Sequence, residues 1–109
     1  MAHHTPTCVW HGQSGTKYTY YVYTIGTKFT EVPGNYIFCK KNSAGLWVAI
    51  YVGETGDLSQ RFDGHHANAC IVRNGATHIH VHKSSTDRQT RLTEETDLRE
   101  RYEPTCNKQ

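Results

Sequence analysis

The run Trp47–Val52 (WVAIYV), closed by Gly53 and Gly56, constrains this chain more than any other stretch. A short apolar run rich in β-branched and aromatic residues and bounded by glycine predicts a buried strand that ends in a turn. Asp57 stands where a helix cap belongs, and Gln60 completes a capping-box-like pattern ahead of Leu58 and Phe62, which share one helical face. Arg61 and His65 are spaced to project from one side of that helix toward the strand end. Tyr51, Arg61 and His65 are therefore expected to converge.

A second strand precedes this one. Gly34 to Lys40 (GNYIFCK) follows Pro33 and leads into a loop of Lys41, Asn42, Ser43, Ala44 and Gly45, from which Trp47 to Val52 returns antiparallel. A hairpin symmetric about Ser43 and Ala44 sets Phe38 opposite Ala49 and Tyr36 opposite Tyr51, so that two phenols sit side by side on one face. Alternation sends Asn35 to the other face, into core. A slip of one residue would undo the arrangement.

These residues resemble the GIY-YIG nuclease family, which includes the nuclease domains of homing endonucleases and of the excision-repair incision subunit. Gly34-Asn35-Tyr36 stands where the first triplet belongs, with Asn35 in place of the isoleucine, and Tyr51-Val52-Gly53 stands for the second. Arg61 and His65 follow at the family spacing, and Glu95, Leu98, Tyr102, Pro104 and Asn107 look like its closing pattern. The resemblance runs from residue 34 to 107. It implies an α/β (α+β) domain, a small and mainly antiparallel sheet flanked by helices, over 34–109. Residues 1–33 are then an N-terminal arm with an extra strand or hairpin, all within a single domain.

The resemblance also assigns parts in a metal-dependent cleavage of DNA phosphodiester bonds. Glu95 would bind one divalent ion, Mg²⁺ or Mn²⁺, touching the phosphate and the leaving oxygen. Arg61 would neutralise a phosphate oxygen. Tyr36, with His65, would take the proton of the attacking water, Tyr51 would position that water, and Asn107 would orient groups around the ion. The hydroxyls of Tyr36 and Tyr51 are expected to open into one pocket with Arg61 and Glu95. RNA stays open as a substrate. With no room for a separate recognition domain, specificity would come from the arm, the tyrosine strand, a homodimer or a partner protein.

The residues support part of this independently. Ser84 to Asp87 offers caps for a helix from about Arg88 to Tyr102, stopped before Pro104. Leu92, Leu98 and Tyr102 make one stripe with Glu95 in its middle. A carboxylate there needs a cation, either Arg91 or Arg99 on the same helix or a metal. Glu94, turned ~100° around the helix, is expected to face solvent.

Elsewhere the signals are plainer. Lys17 to Ile25 reads as a strand, with Lys28 to Val32 as its hairpin partner, and residues 1–16 as an irregular arm. Its tyrosines suit a strand, or a surface on which bases stack. Ala67 to Arg73 reads as a short helix ended by Asn74-Gly75, and Thr77 to His82 as a half-buried strand with Ile79 and Val81 inward.

Cys8, Cys39, Cys70 and Cys106 show no paired spacing and read as reduced thiols. Eight histidines include two groups that invite zinc: His3, His4 and His11 with Cys8, and His78, His80 and His82. A terminal arm and one polar strand face account for the same pattern. The alternatives to a nuclease are thus a nucleic-acid-binding module of the same fold that does not cut, and a zinc-stabilised interaction domain. A net charge of +2 permits a polyanionic partner without demanding one. The chain has no apolar run of membrane-spanning length, and its start lacks a signal-peptide core, so the expected location is cytoplasmic.

Overall fold

Dense β-formers give strands β1 (Thr7–His11), β2 (Lys17–Thr24), β3 (Gly34–Lys41), β4 (Trp47–Thr55) and β5 (His78–Lys83). Helices α1 (Asn68–Arg73) and α2 (Arg88–Tyr102) and a C-terminal 3₁₀ turn (Thr105–Asn107) complete the chain. The computed structural model describes residues 5–60 and 67–107. Arg61, Phe62 and His65, and with them most of the helix expected after Asp57, lie outside these residues. Within them residues 58–60 form a turn, in which Asp57 Oδ1 accepts from the Ser59 N–H at 2.9 Å and from the Ser59 hydroxyl at 2.6 Å.

The five strands form one curled sheet in the order β1-β2-β5-β3-β4, with every neighbour antiparallel. The sheet is buried on both faces. One face gathers Tyr36, Phe38, Tyr51, Ile79 and Val81 under α1, through Cys70 and Ile71. The other gathers Trp10, Tyr20, Ile37, Val52 and Ala49 under Leu98 of α2.

Central β5 explains one correction to the sequence reading. A strand paired on both edges and covered on both faces is not half-buried, and His80 is as fully enclosed as Ile79 and Val81. A second correction concerns the N-terminus. The partner of β2 is β1, inside the segment read as irregular, and not Lys28–Val32. The β1–β2 hairpin extends the sheet from the open edge of β5 and contributes Trp10 and Tyr20 to the core.

The β3–β4 register also differs from the symmetric one. Tyr36 lies opposite Gly53 and Phe38 opposite Tyr51, a displacement of two residues. One of the two comes from the loop, which centres on Ala44 between the Lys41–Trp47 pair. Asn42 shapes that loop, its side-chain oxygen accepting from the N–H groups of Ala44 and Leu46 at 2.9 and 3.0 Å. The other comes from a bulge at Phe38/Cys39, which lets Ile50 and Tyr51 point into the same core.

Helix α2 matches its sequence signals at both ends. Asp87 caps the N–H groups of Gln89 and Thr90, and Glu103 takes the left-handed conformation (φ 43°) before Pro104. Beyond it the chain wraps the free edge of β4, where Cys106 joins Cys70 of α1 in a disulfide with Cα atoms 5.8 Å apart. The reading of four reduced cysteines is therefore corrected. Their separation of 36 residues carries no local signature, and only the wrap of the tail brings them together.

Candidate functional site around Gly53

Gly53 is the point where the site is assembled. A Cβ built on it would meet Cζ of Tyr36 at 2.4 Å and its hydroxyl at 2.5 Å, so the phenol lies flat over the glycine. The Tyr36 and Tyr51 rings stack at 6.1 Å with 25° between their planes. They are diagonal neighbours on one sheet face, which keeps the expected proximity although the direct pairing is gone. The two hydroxyls share a hydrogen bond, which raises the pKa of Tyr36 and lowers that of Tyr51.

Both phenols are nearly closed from solvent, at 4% and 8% exposure. Burial is the main reason that Tyr36 is pushed well above the ordinary phenol value, followed by the charges of Tyr51, Glu95 and Glu54. Tyr51 is raised less decisively, because the Arg99 guanidinium and the hydrogen bond with Tyr36 pull the other way. Proton removal by Tyr36 therefore needs a cation brought close to it.

Glu95 acts on the phenols through its charge. Helix α2 packs Leu98 on the sheet face opposite Tyr36 and Tyr51, so the carboxylate and the phenols do not share a face. The charges of Glu95 and Glu54 nevertheless both act on the two phenols. The Glu95 side chain is only 15% exposed and pairs with Arg99 at 3.5 Å, one of the two cations expected for it. Burial raises its pKa, and the Arg99 charge offsets this only in part.

Glu54 is the member of this cluster that sequence reasoning missed. It binds buried Arg91 at 3.0 Å and exposed Arg88 at 3.5 Å. Strand alternation offered the signal, since Glu54 follows Val52 on the face that α2 covers. Arg91 is also tied to the carbonyls of Ser85 and Thr86, and its own carbonyl accepts from Asn35 at 3.1 Å. Asn35 thus points into the α2 face as expected, and its amide helps seat the helix.

Asn107 grips the backbone. Its Oδ1 accepts from the Val52 N–H at 2.8 Å and its Nδ2 donates to the Val52 carbonyl at 2.9 Å. This amide pairs like a further strand residue on the β4 edge and holds the C-terminal turn beside the cluster. Glu94 departs from its expected solvent exposure. It accepts from the Ser84 hydroxyl and pairs with His82 at 3.1 Å.

The three β5 histidines have separate partners. His78 bonds Thr77, His80 accepts from the Trp10 indole at 3.0 Å, and His82 reaches the Thr19 carbonyl and Glu94. Arg61 and His65, the remaining candidates, fall outside the described residues. The chain matches no protein-family model, no curated protein and no solved structure.

Proposed function

We propose that this chain is a metal-dependent endonuclease that hydrolyses DNA phosphodiester bonds on a GIY-YIG-like domain. The supporting observation is the cluster at Gly53: two hydrogen-bonded phenols under the charge of a partly buried carboxylate, with the Tyr36 ring seated on the glycine. A common sheet face for Tyr36, Tyr51 and Glu95 is not part of that support.

Among the described residues no three of His, Cys, Asp and Glu gather as a ligand set. The carboxylate of Glu95 is a donor that suits Mg²⁺, which commonly rests on one or two carboxylates and keeps water or phosphate oxygens in its other positions. Glu95 would hold it, and the bound ion would supply charge neutralisation at the phosphate and the leaving oxygen. The protein's own groups do the rest. Arg99 favours the ionised form of Glu95 and offsets part of its burial. Tyr51, the less buried of the two hydrogen-bonded phenols, would orient the water. Arg61 and His65 keep their proposed parts in phosphate neutralisation and proton transfer.

The test is a cleavage screen over structured DNA and RNA with Mg²⁺ or Mn²⁺, comparing wild type, Glu95→Gln and Glu100→Gln. Glu95→Gln should lose cleavage while keeping the fold and most DNA affinity, because phosphate contacts by Lys and Arg dominate non-specific binding. Glu100 is exposed and serves as control; Glu94 does not, because of its bonds to His82 and Ser84. Full activity in Glu95→Gln, or equal loss in both variants, refutes the role of Glu95.

The burial of both phenols favours a second reading, a nucleic-acid-binding module that does not cut. DNA binding without cleavage in either metal would establish it. No described helix is long and apolar enough to cross a membrane. The Cys70–Cys106 bond weighs against the expected cytoplasmic location, since such bonds are rare in the cytosol. A homodimer or a partner protein remains the proposed source of specificity.

A further inference from the structure

The α1 face holds a cavity of about 360 Å³ that the cluster at Gly53 does not use. Its size falls in the ~300–1,000 Å³ range of small-molecule sites. Phe29, Phe38, Leu58 and Ile71 form its walls, and Lys28 and Asn68 supply a cation and an amide. Phe38 is the link to the proposed reaction centre. One side of that residue lines the cavity, while its ring stands edge-on to Tyr36 at 5.8 Å. The second aromatic wall is braced too, with Phe29 edge-on to Tyr23 at 5.0 Å.

We infer that this cavity binds a single unstacked nucleotide, its base among the two phenylalanines and its phosphate toward Lys28. Flat aromatic and aliphatic walls suit the faces of a base, a carboxamide can both donate to and accept from its polar edge, and an exposed ammonium suits an attached phosphate. An apolar ligand would need neither Lys28 nor Asn68, and a sugar phosphate would leave the aromatic walls unused. The inference rests on the nuclease reading for its occupant, a nucleotide displaced from the strand being cut. The cavity can nevertheless be tested without cleavage.

The experiment is an NMR titration of the full chain with deoxynucleoside monophosphates. Amide signals of Gly26, Thr27 and Ala76 and the side-chain amide of Asn68, all on the cavity wall, should move, while those of the Asn42–Gly45 loop should not. Lys28→Ala should weaken binding about twofold to fivefold, as for an exposed ion pair. Val72 stands at the wall with 67% exposure, so Val72→Trp should abolish the shifts by covering the mouth without unfolding the chain. Equal shifts with ribose 5-phosphate or with indole, or no shifts with any nucleotide, overturn the inference. Nucleotide-specific shifts in a protein that cuts nothing leave this site standing and sink the nuclease reading; cleavage without shifts does the reverse.

Discussion

Replacing Gly53 by alanine tests the geometry on which the candidate site depends. The new Cβ would sit 2.4, 2.5 and 2.8 Å from Cζ, the hydroxyl and Cε2 of Tyr36. Carbon contacts are comfortable at ~3.5–4.0 Å, so the ring must retreat by about 1 Å. It has little room, because it is 4% exposed, stands against Phe38 and stacks on Tyr51. Overpacking of this kind costs about 1–3 kcal/mol, and losing the bond to Tyr51 adds about 1 kcal/mol. Gly53 does not have a positive φ, so alanine meets no backbone strain and recovers about 0.4–1 kcal/mol from a less flexible unfolded chain. The expected net destabilisation is about 1–3 kcal/mol, read as a lower urea midpoint with unchanged slope. Gly56→Ala is the matched control, since its Cβ would find nothing nearer than Arg91 Nη2 at 3.7 Å. A Gly53→Ala protein as stable as the Gly56→Ala protein would refute the close approach of Tyr36.

Three further outcomes are expected. Reducing the Cys70–Cys106 bond should lower stability by about 2–4 kcal/mol, and guanidinium unfolding that is identical with and without reductant would exclude the cross-link. Asn107→Ala removes two bonds to Val52 and should cost about 1–3 kcal/mol while speeding hydrogen exchange at the Val52 amide, which mass spectrometry or NMR can follow. His80 titrates in the fold at about 4, lowered first by burial and then by His78, so the unfolded chain binds its proton more readily. Its contribution is intact above the unfolded value of ~6.5 and falls by about 3 kcal/mol as pH drops toward 4; His80→Gln should flatten the wild-type loss of stability between pH 6.5 and 4, and parallel curves would count against a neutral buried ring.

What could be read from the sequence was local. Asp87 as cap, the start at Arg88, and the stop before Pro104 all rest on residues within one turn of the feature they specify, and α2 follows them at both ends. The short helix α1 and its Asn74-Gly75 exit are equally local. The β3–β4 hairpin was legible as an element but not in register. Its displacement arises from a loop shaped by the Asn42 side chain and from a bulge, neither of which alternation encodes. His80 shows the limit most sharply. Its flanks Ile79 and Val81 correctly announced a strand, but the indole that makes its burial tolerable comes from Trp10, seventy residues away. Glu54 was overlooked for the same reason, because its partners Arg88 and Arg91 lie on a helix whose docking the sequence does not state.

The C-terminal turn ties these long-range features together. An open sheet has two edges, and each exposes backbone groups that invite unwanted pairing. On β1 the His11 N–H is met by the Tyr102 hydroxyl at 2.9 Å, from the last turn of α2. On β4 the Val52 N–H and carbonyl are met by Asn107, five residues further on. One short stretch of chain therefore attends to both ends of the sheet order, and it does so while passing from the face covered by α2 to the face covered by α1. Cys106 fixes the arrival by bonding to Cys70, and Arg99 ties the departure by reaching the Asn107 carbonyl at 3.4 Å. Because the same Arg99 pairs with Glu95, the ion pair that sets the charge beside Tyr36 and Tyr51 hangs on the seating of this turn. Loosening the tail at Cys106 or Asn107 should thus reach the cluster at Gly53 through Arg99.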